Sequence, residues 1–130
     1  MPTNKQVIQT DAAPLPVARY SQAIRVGDTL YVQGMIALTP GSNQLVAGGI
    51  REQTERVFQN IQAVLRAANM DLRQVVKVTA LLADMKDFAV FNEIYNRHFS
   101  FDPPPVRTTV QVGLPLGALL EIEVMAVDAA

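Results

Sequence analysis

The sequence predicts an α+β sandwich, with two helices packed on one face of a sheet in the order β-β-β-α-β-α-β-β. Two patterns carry that expectation. Apolar residues alternate with a period of two in several short segments and switch to helical spacing in two others, with Gly- and Pro-rich breaks between them. Two helices cover only one sheet face, so the other needs water or a second subunit, which predicts a homo-oligomer. The 130 residues are read as one domain over 1–130, with no repeat or linker and enough chain for a single core.

Val7 and Ile8 open a short first strand, and the two prolines of 11–16 make that stretch an extended loop. Gln22 to Val26 and Thr29 to Gln33 flank Gly27-Asp28, a hairpin signature. Gly34 either ends the second strand or marks a close backbone approach. Residues 39–49, with four glycine or proline positions, read as loop. Over 50–69 the period becomes helical: Ile50, Val57, Phe58, Ile61, Val64, Leu65 and Ala68 share a stripe, Glu52 and Arg56 are spaced to pair, and Asn69 is the stop. Val75 to Leu82 is apolar on both sides and reads as a central strand covered twice. Asp87 is placed to cap a second helix with Phe88, Phe91, Tyr95, His98 and Phe99 on its buried stripe, ended before the prolines at 103–105.

Pro105-Val106-Arg107-Thr108-Thr109-Val110 then precedes Gly113-Leu114-Pro115-Leu116-Gly117 and Leu120-Glu121-Ile122-Glu123. The pattern predicts an antiparallel hairpin closed by the Gly/Pro segment. Alternation puts Arg107, Thr109 and Gln111 on one face of the first strand and Glu121 and Glu123 on one face of the second. In such a hairpin the apolar faces coincide, and guanidinium, hydroxyl and carboxylates gather opposite. A forked cation there holds a carboxylate substrate beside a water-activating acid.

Composition removes several classes. A net charge of -1 and a pI of about 5.7 leave no electrostatic footprint for nucleic acid. The absence of cysteine removes disulfides, thiol nucleophiles and thiolate metal sites. No metal set can be built around the lone His98, no Ser-His-acid triad is indicated by Ser21, Ser42 or Ser100, and Gly41, Gly48 and Gly49 lack phosphate-loop spacing. The polar segment from Met1 to Gln6 lacks the apolar core of a signal peptide, and no run is long enough to span a membrane, so a cytoplasmic location is expected.

Each candidate has two readings. Arg107 is a carboxylate anchor or one half of an ion pair with Glu121 or Glu123. Glu121 orients water or sits on a solvated strand face, and spacing alone does not separate it from Glu123. Asn92 is a satisfied structural amide or a ligand contact. Tyr20 is a lid or a packing residue.

The same residues carry a resemblance. Pro105-Val106-Arg107 with Leu120-Glu121-Ile122-Glu123 resembles the signature of the RidA (YjgF) family, the reactive-intermediate deaminases. Tyr20-Ser21-Gln22-Ala23, Tyr31-Val32-Gln33-Gly34, Val75-Val76-Lys77-Val78-Thr79, Asp87-Phe88-Ala89 and Asn92-Glu93-Ile94-Tyr95 resemble further family blocks in the right order. The resemblance implies a chorismate-mutase-like fold, a mixed sheet with two helices on one face, assembled as a homotrimer with clefts between subunits. It also implies hydrolysis of 2-imino or 2-enamine acids, made by pyridoxal-phosphate dehydratases, to 2-oxo acids and ammonia, with no cofactor or metal. By the same resemblance Arg107 binds the substrate carboxylate and Glu121 positions the attacking water. Tyr20 packs on the substrate, Asn92 belongs to the cleft, and Gly34 follows the hairpin. Gln33 stands where the family's deaminases carry serine, and Thr109 where many carry cysteine; either would hydrogen-bond the water or the departing nitrogen.

Three functions follow as expectations. The first is an imine/enamine deaminase, whose electrophilic substrate mainly needs orientation and modest acid-base help. The second is a non-catalytic binding protein for small carboxylates on the same scaffold, motivated by Gln33. The third is an endoribonuclease or translation inhibitor, against which the acidic pI and the absence of a basic stripe argue.

Overall fold

Gly27, at a φ of 59°, and Asp28 turn the chain between β2 (Ala23–Val26) and β3 (Thr29–Met35), the hairpin that the Gly-Asp pair predicts. β1 (Lys5–Ile8) pairs antiparallel with the outer edge of β2. The computed structural model describes residues 4–128; Met1 to Thr3 of the polar N-terminal segment and the last two residues of the 1–130 span lie outside it. Residues 39–49 are not all loop: β4 (Leu38–Thr39) and β5 (Gln44–Leu45) form a small separate ribbon.

Helix α1 (Ile50–Ala67) buries Val57, Phe58, Ile61, Val64 and Leu65, as its apolar spacing predicts, with Ile50 only half-buried. Its start differs from expectation. Glu52 does not pair with Arg56; its Oε1 accepts from the Gly49 N–H at 2.8 Å, while Arg56 Nε donates to Asn60 Oδ1 at 3.1 Å. A free helix-end N–H is a better partner for a first-turn carboxylate than an exposed cation. Asn69 does stop the helix. At a φ of 59° it donates to the Arg66 carbonyl while Met70 donates to that of Leu65, a Schellman arrangement. Helix α2 (Phe88–His98) buries Phe91, Ile94 and Tyr95. Asp87 does not cap it by its side chain, because its own backbone is already helical; Asp84 instead accepts from the Lys86 N–H of the preceding 3-10 turn at 2.9 Å.

The terminal segments depart most from expectation. β7 (Val106–Gln111) and β8 (Leu120–Val127) do not form a hairpin. β6 (Val75–Leu82) lies between them, parallel to β7 and antiparallel to β8, in a six-stranded mixed sheet of order β1-β2-β3-β8-β6-β7. The connecting segment crosses the end of β6: Val112 donates to the Leu82 carbonyl and Ala83 donates to that of Leu119. A strand, a helix and a following strand favour parallel pairing, since the helix supplies the long crossover that parallel neighbours need. The Gly/Pro segment then bridges over one strand instead of reversing against its neighbour.

One face of the sheet lies under both helices, where Val78, Ala80, Leu82, Leu120, Ile122 and Ala126 are wholly buried. The opposite face has no cover among the described residues: Tyr31 is 48% exposed and Val110 41%, with Lys77, Thr79, Glu123 and Met125 around a shallow hollow. β6 is therefore interior, as expected, but covered on one side only. Among the described residues, no helix is long and apolar enough to cross a membrane.

Three buried amides tie loops to this frame. Gln22 accepts from the Thr10 N–H at 2.8 Å and donates to the Thr10 and Pro14 carbonyls at 3.1 and 2.9 Å. Gln53 accepts from the Leu119 N–H at 3.0 Å, and Asn60 donates to the Leu38 carbonyl at 2.9 Å. Replacing Gln22 with leucine removes the partner of the half-buried Thr10 N–H and of the Thr10 and Pro14 carbonyls. We expect a loss of about 2 kcal/mol of unfolding free energy, read as a lower urea midpoint at unchanged m.

Candidate active site

Register separates the two charged residues on which the site was expected to rest. Val78 of β6 pairs with Arg107, and Leu81 pairs with Glu121. Cross-strand partners share a face and successive residues alternate, so positions 78 and 81 point to opposite sides. Arg107, with Thr109, is on the helix-covered side; Glu121 and Glu123 are on the open side. The expected gathering of guanidinium, hydroxyl and carboxylates on one face, with the apolar faces coinciding, does not occur within one chain, because β6 intervenes.

On the helix side, α2 builds a seat for Arg107. The guanidinium carbon lies 4.5 Å from the Tyr95 ring centroid, 5.6 Å from Phe88 and 5.8 Å from Phe91. Such contacts stabilise a cation by about 0.5–2 kcal/mol each while leaving its N–H groups available. Arg107 Nη1 donates to Asn92 Oδ1 at 2.7 Å, and among the described residues no carboxylate lies within ion-pair distance of it. The ion-pair reading of Arg107 with Glu121 or Glu123 is thereby excluded within the chain, and Asn92 is a holder of the arginine. Burial raises the pKa of the Tyr95 phenol, partly offset by the charge of Arg107. A depression lined by Asn92, Tyr95, Asn96 and Arg107 opens here to solvent. The Thr109 hydroxyl, two residues along the same face, is buried without a hydrogen-bond partner.

Tyr20, Gln33, Gly34 and Glu121 come together on the other side, around a cleft of about 320 Å³. Its wall is otherwise mostly apolar, from Pro14, Leu15, Val17, Met35, Ile36 and Leu116. A bulge makes the arrangement possible. Between Val32 and Met35 the pairing of β3 with β8 slips by a residue, which re-aims Gln33 and Gly34. A Cβ on Gly34 would overlap the Glu121 carboxylate, so the glycine marks a close approach and not a strand end. The Tyr20 hydroxyl lies 3.4 Å from the Val17 N–H at the rim, with its side chain half exposed.

Burial raises the pKa of the Glu121 carboxyl above its ordinary value, and the like charge of Glu123 raises it further. Such an acid is a better proton acceptor than an exposed one near neutral pH. Sequence reasoning missed Leu15, Val17, Ile36 and Leu116, whose apolar character reads as ordinary packing until the loops are seen to converge. It also missed Gln22 and Gln53 as the anchors of those loops. His98 lies elsewhere, its ring stacked 4.2 Å from that of Phe58 and its Nε2 3.4 Å from Glu55. Among the described residues, no cluster of three or more His, Cys, Asp or Glu could hold a metal ion.

Comparison with known proteins shows the family and the fold. The family described as Endoribonuclease L-PSP matches residues 10–128. The mouse 2-iminobutanoate/2-iminopropanoate deaminase is 44% identical over 95% of this chain and 92% of its own length. RidA from the Antarctic bacterium Psychrobacter sp. superposes with a TM-score of 0.89 at 43% identity, covering 94% of this chain and 98% of that one. E. coli TdcF with bound serine gives 0.88 at 31% identity, covering 95% and 99%. Sheet, helices and sequence together define a RidA-type α+β protein. The chain belongs to the RidA/YjgF/L-PSP family.

The two causes acting on Glu121 are separable. In Glu123→Gln, carbon-detected NMR titration of the Glu121 carboxyl should show a midpoint moved toward acid but still above that of an exposed glutamate, because burial is the larger cause. A midpoint that does not move would show that Glu123 does not act on it.

Proposed function

We propose that this protein hydrolyses reactive 2-imino acids, and their 2-enamine tautomers, to 2-oxo acids and ammonia, as a homotrimer with active sites between subunits. The observation that carries the reading is the pair of separated sites. Arg107 is fixed as a cation with no anion against it among the described residues, and Glu121 is a raised carboxyl in a mostly apolar cleft on the opposite face. Each lacks what the other supplies. A neighbouring copy packed with its Arg107 depression, at the edge strand β7, against this chain's Glu121 cleft would bring one chain's Arg107 to another's Glu121, and closed cyclic symmetry would repeat that site in every interface. The deaminase names of relatives at about 44% identity support the chemistry, and the serine bound by E. coli TdcF is a small carboxylate of the kind Arg107 would hold.

In this scheme the free N–H groups of Arg107 bind the substrate carboxylate, and Asn92 and Tyr95 keep the fork in place. Tyr20 packs over the ligand. Glu121 accepts a proton from water as the water oxygen bonds to C2, and the C2–N double bond becomes single. That proton passes to nitrogen, the C–N bond breaks, and loss of the hydroxyl proton leaves a C2 carbonyl and ammonia. One water is consumed and nothing is oxidised or reduced.

A binding protein without turnover is the second reading, favoured by Gln33 in the position of the family's serine. The acidic pI and the mostly apolar cleft give no support to RNA cleavage.

The deciding assay couples a threonine or serine dehydratase to the purified protein and follows ammonia or 2-oxo acid release. Acceleration that is lost in Arg107→Ala and in Glu121→Gln supports the deaminase; thermal stabilisation by 2-oxo acids without acceleration supports the binding protein. The shared site has its own test. Arg107→Ala and Glu121→Gln subunits, unfolded together and refolded at equal amounts, should regain about one quarter of wild-type activity, since one interface in four pairs an intact arginine with an intact glutamate. No recovery in mixed trimers would exclude a site built from two chains.

A further inference from the structure

Gln33 carries an unused acceptor. Its Oε1 is buried without a partner, one of two such side-chain atoms among the described residues. Its Nε2 faces the Pro14 carbonyl at 3.5 Å and the Met35 Sδ at 3.7 Å, both at the long limit of hydrogen bonding. The Pro14 carbonyl only accepts, so the amide NH2 must face it and the oxygen is the end left over. A buried amide oxygen without a donor is costly, and the weak bonds at the other end let the amide turn at little loss. The residue lines the same cleft as Glu121 and Gly34.

We infer that Gln33 reads the substrate's nitrogen, accepting a hydrogen bond from its N–H and so distinguishing 2-imino acid from 2-oxo acid product. This rests on the deaminase reading above and adds a selectivity to it. In a 2-imino acid the carboxylate only accepts and an alkyl side chain does neither, which leaves the protonated imine nitrogen as the donor. The 2-oxo acid presents a carbonyl oxygen at the same place and has no donor there. Against Gln33 Oε1 and an ionised Glu121 that carbonyl meets two acceptors, so hydrolysis converts a favourable contact into a repulsive one and favours product release. A serine hydroxyl can donate or accept and would not discriminate in this way.

The test compares two ligands of the same skeleton, 2-aminobutanoate with a donor nitrogen and 2-oxobutanoate with an acceptor oxygen, by calorimetry on the intact assembled protein. The wild type should bind the amino acid about tenfold more tightly, the scale of one hydrogen bond to a charged donor. Gln33→Met, of similar length and without the amide, should narrow the gap between the two affinities to what Glu121 alone supplies, and Gln33→Glu should widen it. In turnover, Gln33→Met should raise KM for the imine while inhibition by 2-oxobutanoate stays or strengthens. An unchanged affinity ratio in Gln33→Met, with both ligands still dependent on Arg107, overturns the role of Gln33 and leaves the deaminase reading standing. Failure of either ligand to bind the wild type, or binding that ignores Arg107→Ala, overturns both.

Discussion

The parallel pairing of β7 with β6 is the constraint on which the candidate site depends. The chain from Ala83 to Pro105 includes α2, which packs over the sheet and returns the backbone to start β7 beside β6 in the same direction. β8 then takes the other edge of β6 and closes onto β3. With β6 between them, alternation sends Arg107 under α2 and Glu121 to the open face. The arginine thereby gains an aromatic seat from Phe88, Phe91 and Tyr95, and the acid gains a cleft made by loops from the other end of the chain.

Those loops are held by side chains that do no chemistry. Gln22 binds the turn around Thr10 and Pro14 through its amide, and Gln53 reaches from α1 to the backbone at Leu119. Both ends of the apolar wall, Pro14 to Val17 and Pro115 to Leu116, are therefore referred to the core and not to each other. Buried amides suit this task because each satisfies backbone groups that would otherwise be desolvated and unpaired. A cleft supported this way keeps its shape while Tyr20 and Leu116 stay exposed at its rim.

Electrostatically the two sides are complementary. Arg107 is held by one neutral amide and three rings, so its charge is not neutralised in place. Glu121 sits in a poorly solvated wall beside another acid, so its carboxyl is raised. Each arrangement stores an unmet interaction, one for an anion and one for a proton.

Much of this was legible in the sequence. The first hairpin, both helices, the strand from Val75 to Leu82, the apolar stripes and the Asn69 stop all rest on local periodicity and turn chemistry, which act over a few residues. The family blocks likewise identify Tyr20, Gln33, Gly34, Asn92, Arg107, Thr109 and Glu121 as candidates. Local pattern could not decide which strands become neighbours. The Gly113-to-Gly117 segment has the composition of a tight turn whether it reverses the chain or carries it past an intervening strand, and strand pairing is settled by the α2 crossover and the burial of β6. Only the tertiary structure, then, put Arg107 and Glu121 on opposite faces, made Asn92 the arginine's holder, turned Gly34 into a place for a carboxylate, and left Gln33 with an acceptor to fill. Alternation along a strand is a property of the sequence; which face of the sheet each side chain reaches is a property of the register.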